Sequence, residues 1–315
     1  MDAQEEKTFG HFLVHTKKII SLENLQVCFE VQQALKKFGI EKTIDKVIVE
    51  KGFIDAKEMI ELVKEHRGGD EDLIRGYRIV SKLGEGAMGE VYKGIDIENG
   101  NRNVAIKILY PHLGKQKSTA QRFIQEARLC IEKLHHPNIV KGYEVGYEAN
   151  SDFFFYVMEL IEGQNLNKML KQKGVFSEQL ALKILMQMAN ALQHAFEYNL
   201  VHRDIKPDNI MLTAKGEAKL CDLGLARDWV SDLSLTRTGA VMGTPFYISP
   251  EAAGGLKLDC RSDIYSLGAT LYHMVTGVVP FNGQNSAIVL DRHRKDPLIP
   301  PIEHSSEISL GLSAI

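Results

Sequence analysis

Eight consecutive residues, His202-Arg203-Asp204-Ile205-Lys206-Pro207-Asp208-Asn209, bring a carboxylate, a lysine and an amide within six positions after a helical run. The chemistry they suit is phosphoryl transfer. Asp204 can accept the proton of an attacking hydroxyl, Lys206 can neutralise the moving phosphoryl group, and Asn209 can hold a magnesium ion from the other side. None of the three is useful alone. A His-Arg-Asp triplet by itself reads equally well as a polar surface loop stopped by Pro207. The eight residues in this order, leading into the apolar Ile210-Met211-Leu212, do not.

Such a loop needs elements that bring phosphates to it. From Tyr77 the pattern is that of strands: 77–83 runs into Gly84-Glu85-Gly86-Ala87-Met88-Gly89, continues through Val91-Tyr92, turns at Asn99-Gly100-Asn101 and returns as Val104-Ala105-Ile106-Lys107. A glycine motif of this kind also opens helices in dinucleotide-binding folds. Here it sits in a hairpin, where missing Cβ atoms let backbone N–H groups close over phosphates. Lys107 lies in an otherwise apolar strand, and a buried ammonium is costly unless paired. The following helix offers Glu126 and Glu132 as partners.

Taken in order, these motifs resemble those of the eukaryotic-type protein kinases, and Lys206 two residues past Asp204 resembles the serine/threonine branch. The resemblance spans about Tyr77 to Ile315. It implies an α+β, bilobal fold with a β-rich small lobe (77–158), a hinge (159–163) and a mostly helical large lobe (164–315). For ATP it implies a lid formed by Leu83, Gly84, Glu85, Gly86, Ala87, Met88 and Gly89, and an apolar roof of Val91 and Ala105. Met158 would flank the back of the adenine, backbone groups of Glu159 and Ile161 would bond the base, and Met211 would form the floor. By the family pattern Lys107 grips the α- and β-phosphates and is held by Glu126, nineteen residues later. Asp222, in Leu220-Cys221-Asp222-Leu223-Gly224, and Asn209 would hold magnesium, with manganese able to replace it. Leu223 stands where the common motif has Phe.

The same resemblance reads 222–251 as an activation segment. A phosphate on Thr236 or Thr238, placed by autophosphorylation in a homodimer, would meet Arg203. Thr244 would bond Asp204 and Lys206 and favour Ser/Thr acceptors; Asp263 would brace the backbone of the catalytic loop. Beyond Phe281 the chain departs from the family, which continues through two more helices carrying an Arg for Glu251. This reads as a truncated large lobe with Glu251 left as an unpartnered carboxylate.

Ahead of the lobes, residues 1–66 read as short amphipathic helices with a weak internal repeat: Ser21 and Asp55 are N-cap candidates, followed by stripes at Leu22, Leu25, Cys28, Phe29, Gln32, Leu35 and at Met59, Ile60, Leu62, Val63. This stretch resembles, weakly, the helical N-terminal domain of type II secretion ATPases and suggests a docking role toward an unknown partner. The polar, glycine-bearing 67–76 would be the linker. A net charge of −3 gives no sign of a nucleic-acid partner. Four scattered cysteines, no apolar run near the length of a membrane span and an acidic N-terminus fit a reducing, cytoplasmic setting. The reaction implied is transfer of the ATP γ-phosphoryl to serine or threonine in protein substrates, in bacterial signalling. The alternative is a kinase-fold scaffold with weak turnover or none.

Overall fold

The structure is a computed structural model and describes residues 3–40, 42–66, 74, 76–148, 152–222 and 245–315. It divides into two units, Met1–Val80 with Ile95–Arg102, and Ser81–Gly94 with Asn103–Ile315. That division differs from a boundary at 67–76, because the start of the first strand and the Asn99-Gly100 turn group with the helical segment.

In the first unit, α1 (Ala3–His11) runs on into a π-helical turn (Phe12–Thr16) and is followed by α2 (Leu22–Lys37), α3 (Ile44–Glu50) and α4 (Ala56–His66). The expected caps form: Ser21 Oγ accepts from Asn24 N at 3.2 Å, and Asp55 Oδ1 accepts from Lys57 N at 2.8 Å and Glu58 N at 3.0 Å. Phe9, Leu13, Leu25, Cys28, Ile44, Ile48, Met59 and Leu62 make a core of their own. Leu22 and Ile60 are exposed, contrary to the stripes drawn for them. A 3.6-residue period turns Ile60 about 100° away from Met59, and Leu22 is the first residue of its helix. Glu6, buried, accepts from Gln32 Nε2 at 2.9 Å and from Ile44 N at 2.9 Å, so its carboxylate caps α3 from a distance.

The second unit holds every residue assigned above to ATP, metal or proton transfer. A five-stranded sheet runs in the order β1-β2-β3-β5-β4, with β1 Tyr77–Glu85, β2 Gly89–Asp96, β3 Arg102–Leu109, β4 Gly142–Glu148 and β5 Phe153–Glu159. β3 and β5 are antiparallel, with Ala105 opposite Met158 and Lys107 opposite Tyr156. Between β3 and β4 lie a short turn, α5 (Pro111–Gly114), and α6 (Lys117–Glu132), which buries Ala120, Phe123, Ala127 and Cys130 at helical spacing. A second, three-stranded sheet of β6 (Gly163–Asn165), β7 (Ile210–Thr213) and β8 (Ala218–Leu220) carries the catalytic-loop motif and leads to Asp222.

Helices make up the rest. α7 (Leu166–Lys173) precedes α8 (Glu178–Glu197), whose N-cap Ser177 accepts from Leu180 N at 3.4 Å. After the short α9 (Pro250–Ala253), α10 (Cys260–Thr276) is buried almost all round. Its interior hydroxyls are satisfied internally: Ser266 bonds the Ser262 carbonyl at 3.0 Å and Thr270 the Ser266 carbonyl at 2.9 Å. Beyond Phe281 come α11 (Ser286–Lys295) and α12 (Leu310–Ser313). This last part folds back: Ile308 and Leu312 join the main core, while Ser309 bonds both oxygens of Glu178, at 3.0 and 2.7 Å. Leu312→Ala should therefore cost about 2–4 kcal/mol in chemical denaturation, and Leu310→Ala less than about 0.5 kcal/mol. Leu310 is 76% exposed. Equal effects of the two would mean the segment is not packed in this way.

Candidate active site

The geometry starts at Asp263, in the first turn of α10. It is buried, and its carboxylate accepts from the backbone N–H groups of His202 (2.7 Å) and Arg203 (2.8 Å). Burial pushes its pKa up, and the neighbouring His202 together with these N–H bonds works against that push. The two bonds hold Arg203 at φ 66°, a left-handed conformation that costs a non-glycine residue of order 1–3 kcal/mol. Sequence reasoning singled out Asp263 and Arg203 but missed His202. That ring is fully buried: Nδ1 accepts from Asp204 N at 3.3 Å, so Nε2 carries the proton and donates to the Cys221 carbonyl at 3.0 Å. The apolar Leu200-Val201 just ahead of the histidine could have signalled its burial.

Downstream of that brace, Asn209 Nδ2 donates to the Asp204 carbonyl at 2.7 Å and to its carboxylate Oδ2 at 2.9 Å. Lys206 Nζ reaches the same Oδ2 at 2.9 Å. The carboxylate is thus held from two sides, and Asn209, using its nitrogen twice, turns its oxygen away from Asp204. The Asn209 carbonyl accepts from Cys221 N at 2.9 Å, which places Asp222 beside the loop.

Asp222 also sits in the left-handed region, at φ 52°, and its Oδ1 meets Lys107 Nζ at 2.6 Å. Burial raises the Asp222 pKa, but the charge and hydrogen bond of Lys107 outweigh it and hold the carboxyl below its usual range. This pair corrects the expectation that Glu126 holds Lys107. Lys107 is 8% exposed and takes the carboxylate that the left-handed turn brings to it. Glu126 lies half-buried on α6, where its charge, after burial, helps push the Cys130 thiol up to about 12.

The adenine-side residues are placed by sheet register. Ala105 and Met158 are buried cross-strand neighbours, Val91 and Ile161 pack partly buried against the core, and Met211 lies opposite Lys219. Glu159 N–H is already taken by the Lys141 carbonyl at 2.8 Å, so that N–H is not open to a base. In the glycine loop, Gly86 N bonds the Gly89 carbonyl at 2.9 Å, and Lys82 reaches Glu85 and Glu90, each at 2.7 Å. Glu85 thereby points to Lys82, and Leu83, Gly84, Gly86 and Ala87 are exposed. The glycines are not equivalent. A Cβ on Gly89 would stand 1.8 Å from the Ile108 carbonyl oxygen, while one on Gly84 or Gly86 would meet nothing within 4 Å.

Glu251 is not left alone: the Ser262 hydroxyl donates to it, and it is only half-buried. Thr236, Thr238 and Thr244, with Leu223 and Gly224, lie outside the described residues. For a cation the fit is good. Asp222 keeps one oxygen beyond its bond to Lys107, and Asn209 keeps its amide oxygen. One carboxylate and one amide oxygen suit a hard ion that takes its other ligands from phosphates and water.

The protein kinase domain family matches residues 77–310. The probable serine/threonine-protein kinase CPE1738 of Clostridium perfringens is 40% identical over 237 residues, covering 75% of this chain and 34% of that protein. Serine/threonine-protein kinase PknB of Mycobacterium leprae is 37% identical over 241 residues, covering 76% and 38% respectively. Serine/threonine-protein kinases drp72 of Corynebacterium efficiens is 41% identical over 214 residues, covering 67% and 41%. The chain belongs to the protein kinase domain family. It spans roughly a third to two fifths of the length of these curated relatives.

Gly89→Ala should lower stability by about 1–3 kcal/mol, while Gly86→Ala stays within about 0.5 kcal/mol. Thermal melting checks this; the reverse order would contradict the close approach at Ile108.

Proposed function

We propose that this chain transfers the γ-phosphoryl group of ATP to serine or threonine hydroxyls of proteins. The observation that carries the reading is the Asp204 carboxylate, held by Asn209 Nδ2 and Lys206 Nζ within the same bonded network as the Lys107–Asp222 pair. The serine/threonine-protein kinase names of the relatives support the acceptor class.

In this reading ATP lies with its adenine between Ala105, Met158 and Met211 and its phosphates under the glycine loop. Lys107 leaves Asp222 to grip the α- and β-phosphates. Asp222 and Asn209 would hold magnesium, which would neutralise phosphate charge when bound. The acceptor hydroxyl oxygen bonds to the γ-phosphorus, the bond from that phosphorus to the β-bridging oxygen breaks, and Asp204 takes the hydroxyl proton. Lys206 offsets charge gathering on the moving group. Phosphate on Thr236 or Thr238, added in trans between two copies, would pair with Arg203, and Thr244 would orient the acceptor. The N-terminal helices serve docking. Among the described residues no helix is long and apolar enough to cross a membrane, and we place the domain in the cytoplasm.

Asp204→Asn should bind ATP normally and lose about two to four orders of magnitude in turnover. The assay is phosphate transfer from labelled ATP to a generic basic protein, with the phosphorylated sites mapped. Wild-type rates in that variant would refute the base, and ATP binding without transfer in the parent chain would favour the scaffold reading.

A further inference from the structure

The Glu159 side chain, at the end of β5, takes no part in the chemistry above, yet its carboxylate is fully engaged. Lys219 Nζ lies 2.9 Å from Oε1 and 3.0 Å from Oε2, and Lys141 N donates to Oε2 at 3.2 Å. Both partners of the ion pair are largely shielded, Lys219 at 15% and Glu159 at 28% side-chain exposure. A charge-assisted bond shielded to this degree, made to both oxygens, outweighs an ordinary surface pair. Lys219 sits in β8, directly across from Met211 and three residues before Asp222. One carboxylate therefore joins β5, the strand β8 that pairs with the Met211 strand β7, and Lys141 in the link from α6 to β4.

β8 does not need this bond to exist. Leu220 N bonds the Asn138 carbonyl at 2.8 Å, Val140 N bonds the Leu220 carbonyl at 2.9 Å, and Asn138 Nδ2 bonds the Ala218 carbonyl at 2.8 Å. The strand therefore has anchors that do not involve the Lys219 side chain. What the ion pair adds is a side-chain tie from the Glu159 end of β5 to β8, the strand paired with the floor residue Met211.

We propose that Lys219 is a positioning residue which, through Glu159, sets the width of the adenine slot and hence the affinity for the adenosine half of ATP. The inference rests on reading this cleft as the ATP site. Its signature is a change in binding without a change in chemistry, and an equal change for adenosine and for ATP, because the phosphates lie at the other end.

The test uses the full chain and three proteins: parent, Lys219→Met and Lys219→Arg. Adenosine and ATP affinities, KM for ATP, kcat and melting temperature are measured for each. Lys219→Met should weaken adenosine and ATP by the same factor, about three- to tenfold, raise KM alike and leave kcat within about twofold. Lys219→Arg should recover most of the loss. If Lys219→Met melts early, recovery of affinity by Lys219→Arg still supports the proposal, and failure to recover overturns it. Unchanged affinities in Lys219→Met, or a fall in kcat with adenosine binding intact, overturn it as well. A parent chain that binds neither nucleotide would instead defeat the reading of the cleft.

Discussion

A single ammonium, Lys107 on β3, sets the terms for the rest of this domain. It is buried in a strand whose neighbours are apolar, and an isolated charge there would cost several kcal/mol. Some carboxylate must come to it. The carboxylate that does is Asp222, 115 residues away, carried on the turn after β8. That turn can deliver it because Asp222 adopts a left-handed backbone, and the conformation is held by its neighbours: Cys221 N on the Asn209 carbonyl, and the Cys221 carbonyl on the His202 ring.

The dependence runs back to α10. His202 is seated by Asp263, Arg203 is strained by the same carboxylate, and the strain is affordable because two short backbone bonds to a buried anion oppose it. One helix, packed in the middle of the large lobe, thereby fixes a loop whose Asp204 and Asn209 then fix each other. Asp204 is held in place by Asn209 Nδ2 and by the charge of Lys206. Preorganisation here comes from backbone N–H groups and amides rather than from bulk packing.

Much of this was legible in the residues. The catalytic loop, the glycine hairpin, Lys107 as a buried cation in need of a partner and the caps at Ser21 and Asp55 follow from motif order and from what a residue type can do, and the brace at Asp263 follows from the family resemblance. The partner of Lys107 was not, because the choice between Glu126 and Asp222 depends on a backbone dihedral that spacing does not reveal. Nor was the Glu159–Lys219 pair, two surface-type residues 60 positions apart that meet only through strand pairing. The three glycines of the hairpin read alike, yet only Gly89 faces a carbonyl that excludes a side chain. Periodicity predicted helical faces in 1–66 but overcounted them at Leu22 and Ile60, since a helix end and a neighbouring residue do not share the buried stripe. By its motifs the chain leaves the family beyond Phe281, yet the family match runs on to residue 310, and the packing of this segment through Ile308 and Leu312 became visible only in three dimensions.

The claim on which everything turns is that Asp222 is the carboxylate shared between Lys107 and a phosphate-bound cation. Calorimetric titration of Asp222→Asn with adenosine, and with ATP in the presence and absence of magnesium, tests it most directly. Adenosine affinity should stay within about twofold of the parent, while the gain in ATP affinity on adding magnesium, about tenfold or more in the parent, should vanish. A magnesium dependence that survives the substitution unchanged would contradict it.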